Sequence, residues 1–431
     1  MLQSLHTFGF TAAAFARPYF ARAHMEKYQL KKLKSLLRHA NSHIPFYRDW
    51  FEQNGFQPGD IRQLDDLRKI PVMEKQPLRE LFQSLPGEEI AGKRLIEHKT
   101  SGSTGIPVHI LRTPAEERRL NMLRWRMQWM LGLRPGDRMA KVKTTWEPLG
   151  RRFDRVQSIA RFVRLIDRSV FDCLQDPAEN YRKIVAYQPH VLTGYPGALV
   201  RIAQQQGQQD GELGCLRRVS SGGENLAPYQ RRMLEERFGV PVHDTYGTSE
   251  CNLVAWTCQE TGLYHVNDDG ILLEVCRDGV PVAEGETGEV VITSLHSRAM
   301  PIIRYALGDL AVAGPSPCPC GRPFSTIKAL QGRTIDFLQL PDGREVHPFE
   351  VLNEIVTESG DWLVEYQFIQ ERADSFRLLI VSRRPLSRDE ENLFRATLLE
   401  KLGTQARLHI EWTDSIERDK SGKLHFCRSL V

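Results

Sequence analysis

The sequence predicts an α/β protein. A layered α/β body with a β-rich subdomain should occupy most of the chain, and a small α+β unit should close it. Three observations lead there. In the middle of the chain, short apolar runs alternate with helical patterns. Residues 264–313 change to strand-like segments split by Gly and Asp turns. The last hundred residues then return to a mixed β-β-α-β order.

The first observation rests on local grammar. Val191–Gly194 leads into Pro196-Gly197 and a helical stretch. Leu216–Ser220 ends at Ser221-Gly222-Gly223, with a helical pattern over Pro228–Phe238, and Val240–Asp244 ends in a Gly-containing loop. Strand, loop, helix, strand is the order of a layered α/β domain, and its strand-end loops are where ligands usually sit. In the β-rich stretch, Ile271–Val275 and Glu289–Ile292 read as strands. Residues 314–321 hold three prolines and two glycines, which exclude regular structure. In the final unit, helix-like 348–358 precedes strand-like Tyr366–Gln370 and Phe376–Val381. Ser387 to Glu390 forms a capping box opening a helix to about Leu402, and Ala406–Trp412 is a last strand. The boundary falls near Gly332-Arg333.

Near the N-terminus, Leu30, Leu33, Leu36, Leu37 and Ala40 fall at helical spacing, so 25–40 reads as an amphipathic helix with a solvated basic face. Phe8–Phe15 is mildly apolar, but no Lys or Arg precedes it and it holds Gly9 and Thr11, which argues against a secretory signal.

Composition bounds the function. A chain of 431 residues suits about two to four domains. Lys plus Arg minus Asp plus Glu is 58 − 54 = +4, too small for a dedicated polyanion binder, so no nucleic-acid partner is expected. No apolar run reaches about 18 residues, so no transmembrane helix is expected. Eight cysteines are too few for a disulfide scaffold and suit a reducing cytoplasm.

The strongest local motif is Lys99-Thr100-Ser101-Gly102-Ser103-Thr104-Gly105-Ile106-Pro107. Its glycines let backbone N–H groups approach an anion, and its hydroxyls add donors without bulk, as a phosphate cradle requires. It is neither a Walker loop nor a dinucleotide fingerprint, and a flexible Ser/Gly linker is the competing reading. Three further loops favour the cradle: Ser221-Gly222-Gly223-Glu224, Asp244-Thr245-Tyr246-Gly247-Thr248-Ser249-Glu250, and Arg304-Tyr305-Ala306-Leu307-Gly308-Asp309. An aromatic can stack on a base, a carboxylate can hold Mg²⁺ beside phosphates, and an aspartate can accept from two ribose hydroxyls.

In this order the motifs resemble the adenylate-forming superfamily of acyl-CoA synthetases, peptide-synthetase adenylation domains and luciferases. Within it, the likeness is to the phenylacetate-CoA ligase branch, which His39–Arg48, Gly288–Thr293 and Pro301–Tyr305 also resemble. The resemblance implies a nucleotide- and acyl-binding domain over 1–331 and a mobile C-terminal lid over 332–431. It assigns Thr100, Ser101, Gly102, Ser103, Thr104 and Gly105 to the ATP phosphates, and Gly223 and Glu224 to the adenine site. It makes Tyr246 the adenine-stacking aromatic, Thr248 a residue near the α-phosphate, and Glu250 the Mg²⁺ carboxylate. Asp309 becomes the ribose ligand, Arg333 the hinge arginine that contacts nucleotide, and Lys423 the catalytic lysine. A lysine arriving on a mobile domain can neutralise the charge that develops when a carboxylate attacks the α-phosphorus. Two departures stand out: Ile106 replaces a lysine common in relatives, and Ile335-Asp336 stands where many carry Asp-Asp.

The acyl pocket is expected between Tyr195, Gly222 and Gly247, with Trp146 and Trp256 as walls; glycine-flanked slots suit a flat aromatic acid. A second constellation is metal-like: Cys258-x6-His265 and Cys318-x-Cys320 can make a tetrahedral Cys₃His zinc site, against the alternative of four unrelated residues. The resulting expectation is a small-molecule carboxylic acid converted with ATP and Mg²⁺ to an acyl-adenylate, then transferred to a thiol. That thiol belongs to coenzyme A or to the phosphopantetheine of an acyl carrier protein. Alternatives are a ligase that leaves AMP on its substrate or uses a non-thiol acceptor, and an inactive nucleotide-binding homologue. A homodimer is left open.

Overall fold

A computed structural model describes residues 2–85, 95–99, 108–144, 166–333, 338–346, 351, 362–418, 424 and 426–430. They fall into two compact units: Met1–Gly132 with Thr245–Gln331, and Leu133–Asp244 with Gly332–Val431.

The first unit is built from N-terminal helices and antiparallel strands. The amphipathic helix spans Arg22–His43 and buries Met25, Gln29, Leu33, Leu36, Leu37 and Ala40, leaving its lysines largely outward. Ile44 leaves helical geometry, and Pro45 restarts the chain as helix Pro45–Gln53, because a proline at the first helical position loses no hydrogen bond. Thr113 and Glu116 form a reciprocal capping box that opens helix Pro114–Met130. The β-rich segment is present, and both expected strands run longer, as Ile271–Arg277 and Thr287–Ser294. They pair antiparallel, and Thr287–Ser294 pairs in turn with Tyr305–Ala313. Leu33, Leu36, Leu37, Tyr47 and Phe51 share one apolar core with Ile292, Ile302 and Tyr305. The mildly apolar N-terminal stretch is helix Leu2–Ala16, and Arg126 on helix Pro114–Met130 reaches the Ala14 carbonyl at 3.5 Å.

Two adjacent buried carboxylates join these elements. Asp269, fully buried, receives Arg17 at 2.7 Å and Arg126 at 2.6 Å. Asp268 receives Arg22 at 2.6 Å and both the backbone N–H and the hydroxyl of Ser325 at 2.6 Å. Burial opposes the charge on Asp269, but Arg126 and Arg17 overcome it and hold the carboxyl below its usual range. At Asp268 burial wins and the carboxyl sits above it.

In the second unit, parallel strands lie in the order Ile166–Asp172, Asp137–Lys143, Val191–Gly194, Arg218–Gly222. Helices Pro177–Tyr187, Pro196–Ala203 and Pro228–Phe238 each begin with proline. The last agrees with its predicted range, and Gly239 closes it at φ +65°. The C-terminal sheet has the order Arg407–Trp412, Ser375–Ser382, Leu363–Arg372, Cys427–Ser429. Helix Arg388–Leu402 starts at the predicted Ser387–Glu390 capping box. Strand Cys427–Ser429 is an addition to the expected order, pairing parallel with Phe368–Gln370. Except for Val351, the helical pattern over 348–358 lies outside the described residues. Ala227 and Tyr229 share a core with Leu338, Trp362, Tyr366 and Phe368, while Val364 joins the core of Ala140, Leu192 and Val219. These shared cores are why the C-terminal segment and Leu133–Asp244 make one unit.

Among the described residues, no helix is long and apolar enough to cross a membrane.

Replacing Asp269 by Ala should strand two arginines and cost about 3–5 kcal/mol of stability. Urea unfolding of the variant against wild type measures this.

Candidate active site and candidate metal centre

In the first unit, the loop from Tyr246 to Glu250 leaves the end of strand Val242–Tyr246. Thr245 and Tyr246 pair with Trp256 and Ala255, and the Val254 N–H donates to the Tyr246 carbonyl at 2.9 Å. The loop then turns tightly. Asn252 donates its N–H to the Thr248 carbonyl at 2.8 Å, and Cys251 donates to the Thr248 hydroxyl at 3.2 Å. A Cβ on Gly247 would lie 2.5 Å from the Asn252 carbonyl oxygen, so only glycine fits. Glu250 is buried at the end of this turn.

Four residues that the sequence reading did not single out, His98, Arg112, Glu117 and Arg124, brace the loop. The Arg112 guanidinium donates to the Ser249 carbonyl. Arg112 also pairs with Glu117 at 3.1 Å, and Glu117 meets His98 Nε2 at 3.1 Å. Burial opposes ionisation of Glu117, but His98 and Arg112 hold it at about 2. From the same helix, Arg124 reaches the Asn252 side chain at 3.1 Å.

Tyr246 and Asp309 meet directly, the phenol donating to the carboxylate. The strand Tyr305–Ala313 presents Asp309 through a bulge. Its register with Thr287–Ser294 shifts between Glu289 and Val291, and Gly308 takes φ +73°. Arg304 anchors the start of this strand. It is 1% exposed, has φ +45°, and forks onto Glu274 at 2.9 and 3.0 Å while donating to the Ile70 and Gly279 carbonyls at 2.5 and 2.8 Å. Burial raises Glu274 even with Arg304 beside it.

In the second unit, Tyr195 precedes helix Pro196–Ala203 at the end of strand Val191–Gly194. A Cβ on Gly194 would lie 2.8 Å from the Val142 carbonyl. The neighbouring strand ends at Gly222, and Ser221 donates to Asp244 at 2.5 Å. Gly223 takes φ +87°, a left-handed turn that suits glycine. Glu224 follows it and accepts the Leu424 N–H at 2.9 Å.

Thr100, Ser101, Gly102, Ser103, Thr104, Gly105, Trp146, Ile335, Asp336 and Lys423 lie outside the described residues, and Arg333 is described by its backbone alone. Trp256, expected as a pocket wall, is a core residue 1% exposed, packed edge-on against His265 and Phe324.

The metal-like residues do come together. Cys258, His265, Cys318 and Cys320 offer ligand atoms that all lie within 4.8 Å of one another. Trp256 pairs with His265, which in turn pairs with Thr326, so hairpin and loop share one ladder. The Cys318 N–H donates to the Phe324 carbonyl at 2.8 Å, and Gly321 turns the loop at φ +83°. His265 Nε2 sits 3.2 Å from the Cys320 sulfur. Burial, with Arg322 and Arg126, lowers His265 to about 4, so its imidazole is neutral, the form that binds metals. Burial alone would raise the Cys258 thiol, but hydrogen bonds from Thr261 and from the Glu260 and Thr261 backbone bring it below its ordinary value. Zinc–sulfur bonds of about 2.3 Å place tetrahedral sulfurs about 3.8 Å apart, and three thiols and one imidazole at these separations fit that ion.

Two family profiles match the chain: "AMP-binding enzyme" over residues 100–297 and "CapK C-terminal domain" over residues 338–429. Phenylacetate-coenzyme A ligase of Escherichia coli (strain K12) is 28% identical over 351 residues, covering 77% of this chain and 76% of that protein. Protein CapK of Staphylococcus aureus is 22% identical over 409 residues, covering 92% and 88%. The crystal structure of 2-hydroxyisobutyryl-CoA ligase in the postadenylation state superposes with TM-score 0.78 at 22% identity, covering 96% of this chain and 91% of that one.

The brace behind the loop makes stability depend on acid. Glu117 has a depressed pKa, so its contribution is full above the usual carboxylate range and is lost as pH falls toward about 2. Glu117→Gln should be about 1–2 kcal/mol less stable than wild type at pH 7, a figure reduced for partial exposure. Denaturant titrations repeated down to pH 3 should show that gap narrowing.

Proposed function

The chain belongs to the adenylate-forming superfamily and is similar to its phenylacetate-coenzyme A ligases; from that premise we propose that it activates a carboxylic acid with ATP and passes the acyl group to coenzyme A. The observation that carries this reading is the Tyr246 phenol held on the Asp309 carboxylate at a strand-end loop. In the proposed roles, the Tyr246 ring stacks on adenine and Asp309 accepts from the ribose hydroxyls. Gly223 and Glu224 line the adenine site. Thr100, Ser101, Gly102, Ser103, Thr104 and Gly105 cradle the phosphates, with Thr248 near the α-phosphate. Glu250 would hold Mg²⁺, which shields the charge of the departing pyrophosphate. Its neighbours in the tight turn keep that carboxylate aimed.

The substrate carboxylate oxygen attacks the α-phosphorus, the α–β phosphoanhydride bond breaks, and pyrophosphate leaves. Lys423 and Arg333 neutralise charge at that step. The coenzyme A thiolate then attacks the acyl carbonyl, the C–O bond to AMP breaks, and AMP leaves with the electron pair. Residues 332–431 act as the lid that brings Lys423 in for the first step. In the second unit, Tyr195 and Gly222 are the residues proposed for the acyl slot. We take the acid to be aromatic, on the support of glycine-flanked slots and of relatives named for phenylacetate. Eight thiols without a disulfide suit a reducing compartment.

The Cys₃His cluster is proposed as a zinc site, in which Cys258, His265, Cys318 and Cys320 would hold the ion. Zinc there would cross-link the 255–266 hairpin to the 314–321 loop, a structural brace remote from the chemical steps.

Carboxylate-dependent ATP–pyrophosphate exchange across an aryl-acid panel tests the activity; silence with every acid would remove it. Lys423→Ala should cut exchange by about a hundredfold or more, with ATP binding by calorimetry nearly unchanged. For the metal, protein purified without chelator should carry about one zinc per chain by elemental analysis, and Cys318→Ser should lose it.

A further inference from the structure

We infer that the first unit docks on an anionic lipid surface through one exposed face: Tyr19 and Phe20 enter the headgroup layer, and His24, Lys27, Lys31 and Arg38 lie along the phosphates. The inference stands apart from the proposed ligase activity, in which none of these residues has a role.

Charge is uneven along the chain. Helix Arg22–His43 carries six Lys or Arg and one acid, 6 − 1 = +5, whereas the whole chain is +4, so all the rest sums to 4 − 5 = −1. The one acid, Glu26, is taken by Arg22 at 2.9 Å. Burial divides the helix into two faces. Met25, Gln29, Leu33, Leu36 and Ala40 turn to the core. At about 3.6 residues per turn, His24, Lys27, Lys31 and Arg38 fall on the opposite side, and all four are exposed. From His24 to Arg38 the row runs about 21 Å at the helical rise. A row of cations along one side of a helix matches a flat field of lipid phosphates.

The chain enters this helix through an aromatic corner. Arg17–Tyr19 is a single 3₁₀ turn, closed by the Phe20 N–H on the Arg17 carbonyl at 3.1 Å, and Ala21 then opens the long helix. Tyr19 is 72% exposed and Phe20 51%. The backbone that carries these rings is pinned on both sides, Arg17 by Asp269 at 2.7 Å and Arg22 by Asp268 at 2.6 Å. The Arg322 guanidinium lies 5.1 Å over the Tyr19 ring, and Phe20 leans on His24 with centroids 5.9 Å apart, so rings and cations form one surface. Exposed rings beside a basic row are the composition of an interfacial anchor. Ala21 and Ala23, also exposed, add no hydrogen-bonding side chain. Base edges are read by such groups, so the corner suits lipid better than nucleic acid.

Sedimentation of the full chain with vesicles tests the docking. The protein should pellet with mixed phosphatidylglycerol and phosphatidylcholine vesicles, and not with phosphatidylcholine alone. Raising salt from about 0.1 M to about 1 M, which shortens the screening length from about 10 Å to about 3 Å, should release it. Lys27→Glu combined with Lys31→Glu should weaken binding about twentyfold or more, and Tyr19→Ser combined with Phe20→Ser about tenfold, each with wild-type circular dichroism. The salt and lipid series use the unaltered protein, so they decide the matter even if a variant fails to fold. Equal binding to both vesicles, binding to neither, or a folded charge-reversed variant that binds like wild type would overturn the inference. So would release from anionic vesicles by single-stranded RNA at equal phosphate concentration, which would give the face to nucleic acid.

Discussion

The first unit depends on burying two neighbouring negative charges. Asp268 and Asp269 cannot both sit in an apolar interior without cations, and the chain brings three from far away: Arg17, Arg22 and Arg126. Satisfying them brings the N-terminal helices, helix Pro114–Met130 and Ser325, just before strand Thr326–Arg333, together at one point. That helix then does two things along its length. Arg126 closes the ionic cluster, while Arg124 and Asn121 reach the Asn252 side chain in the loop that carries Gly247 and Glu250. The contacts to the loop thus lie within about one and a half helical turns of the charge compensation at Arg126.

The Cys₃His cluster extends the same logic. Arg22 donates both to Asp268 and to the Pro323 carbonyl, so the ionic cluster grips the loop that carries Cys318 and Cys320. His265 pairs with Trp256, and Trp256 pairs with Thr245, one residue before Tyr246. A cross-link at the cysteines would therefore stiffen the ladder behind the Tyr246–Asp309 contact while touching no reactant.

What the sequence made legible was local. The strand end at 194 could be read, and those read at 220 and 244 fall two residues short of the observed 222 and 246, because glycine and hydroxyl residues mark tight turns only to within a few positions. The Ser387 cap and the helix from Pro228 to Phe238 were legible for the same reason. The four metal-like residues could be proposed from spacing, but only the pairing of distant strands gathers them. Partners at long range left no mark: Arg112 on Ser249, Arg304 on Glu274, and Glu224 on Leu424 join residues whose types are ordinary in isolation. Strand Cys427–Ser429 was missed because its parallel pairing with Phe368–Gln370 is decided across the whole C-terminal unit. Trp256 looked available beside a glycine-rich loop, yet its size makes it the natural filler beside Phe324.

Arg304 imposes two demands that conflict. Its backbone, at φ +45°, favours glycine, whereas its side chain must fork onto a buried Glu274. Glycine would relax the backbone and abandon a buried carboxylate; lysine would keep the charge and lose the fork. Neither single step is neutral, so drift at this position waits on drift at 274. Among descendants of this sequence the two should change together or not at all, and the pair can serve as a lineage marker for the strand that presents Asp309.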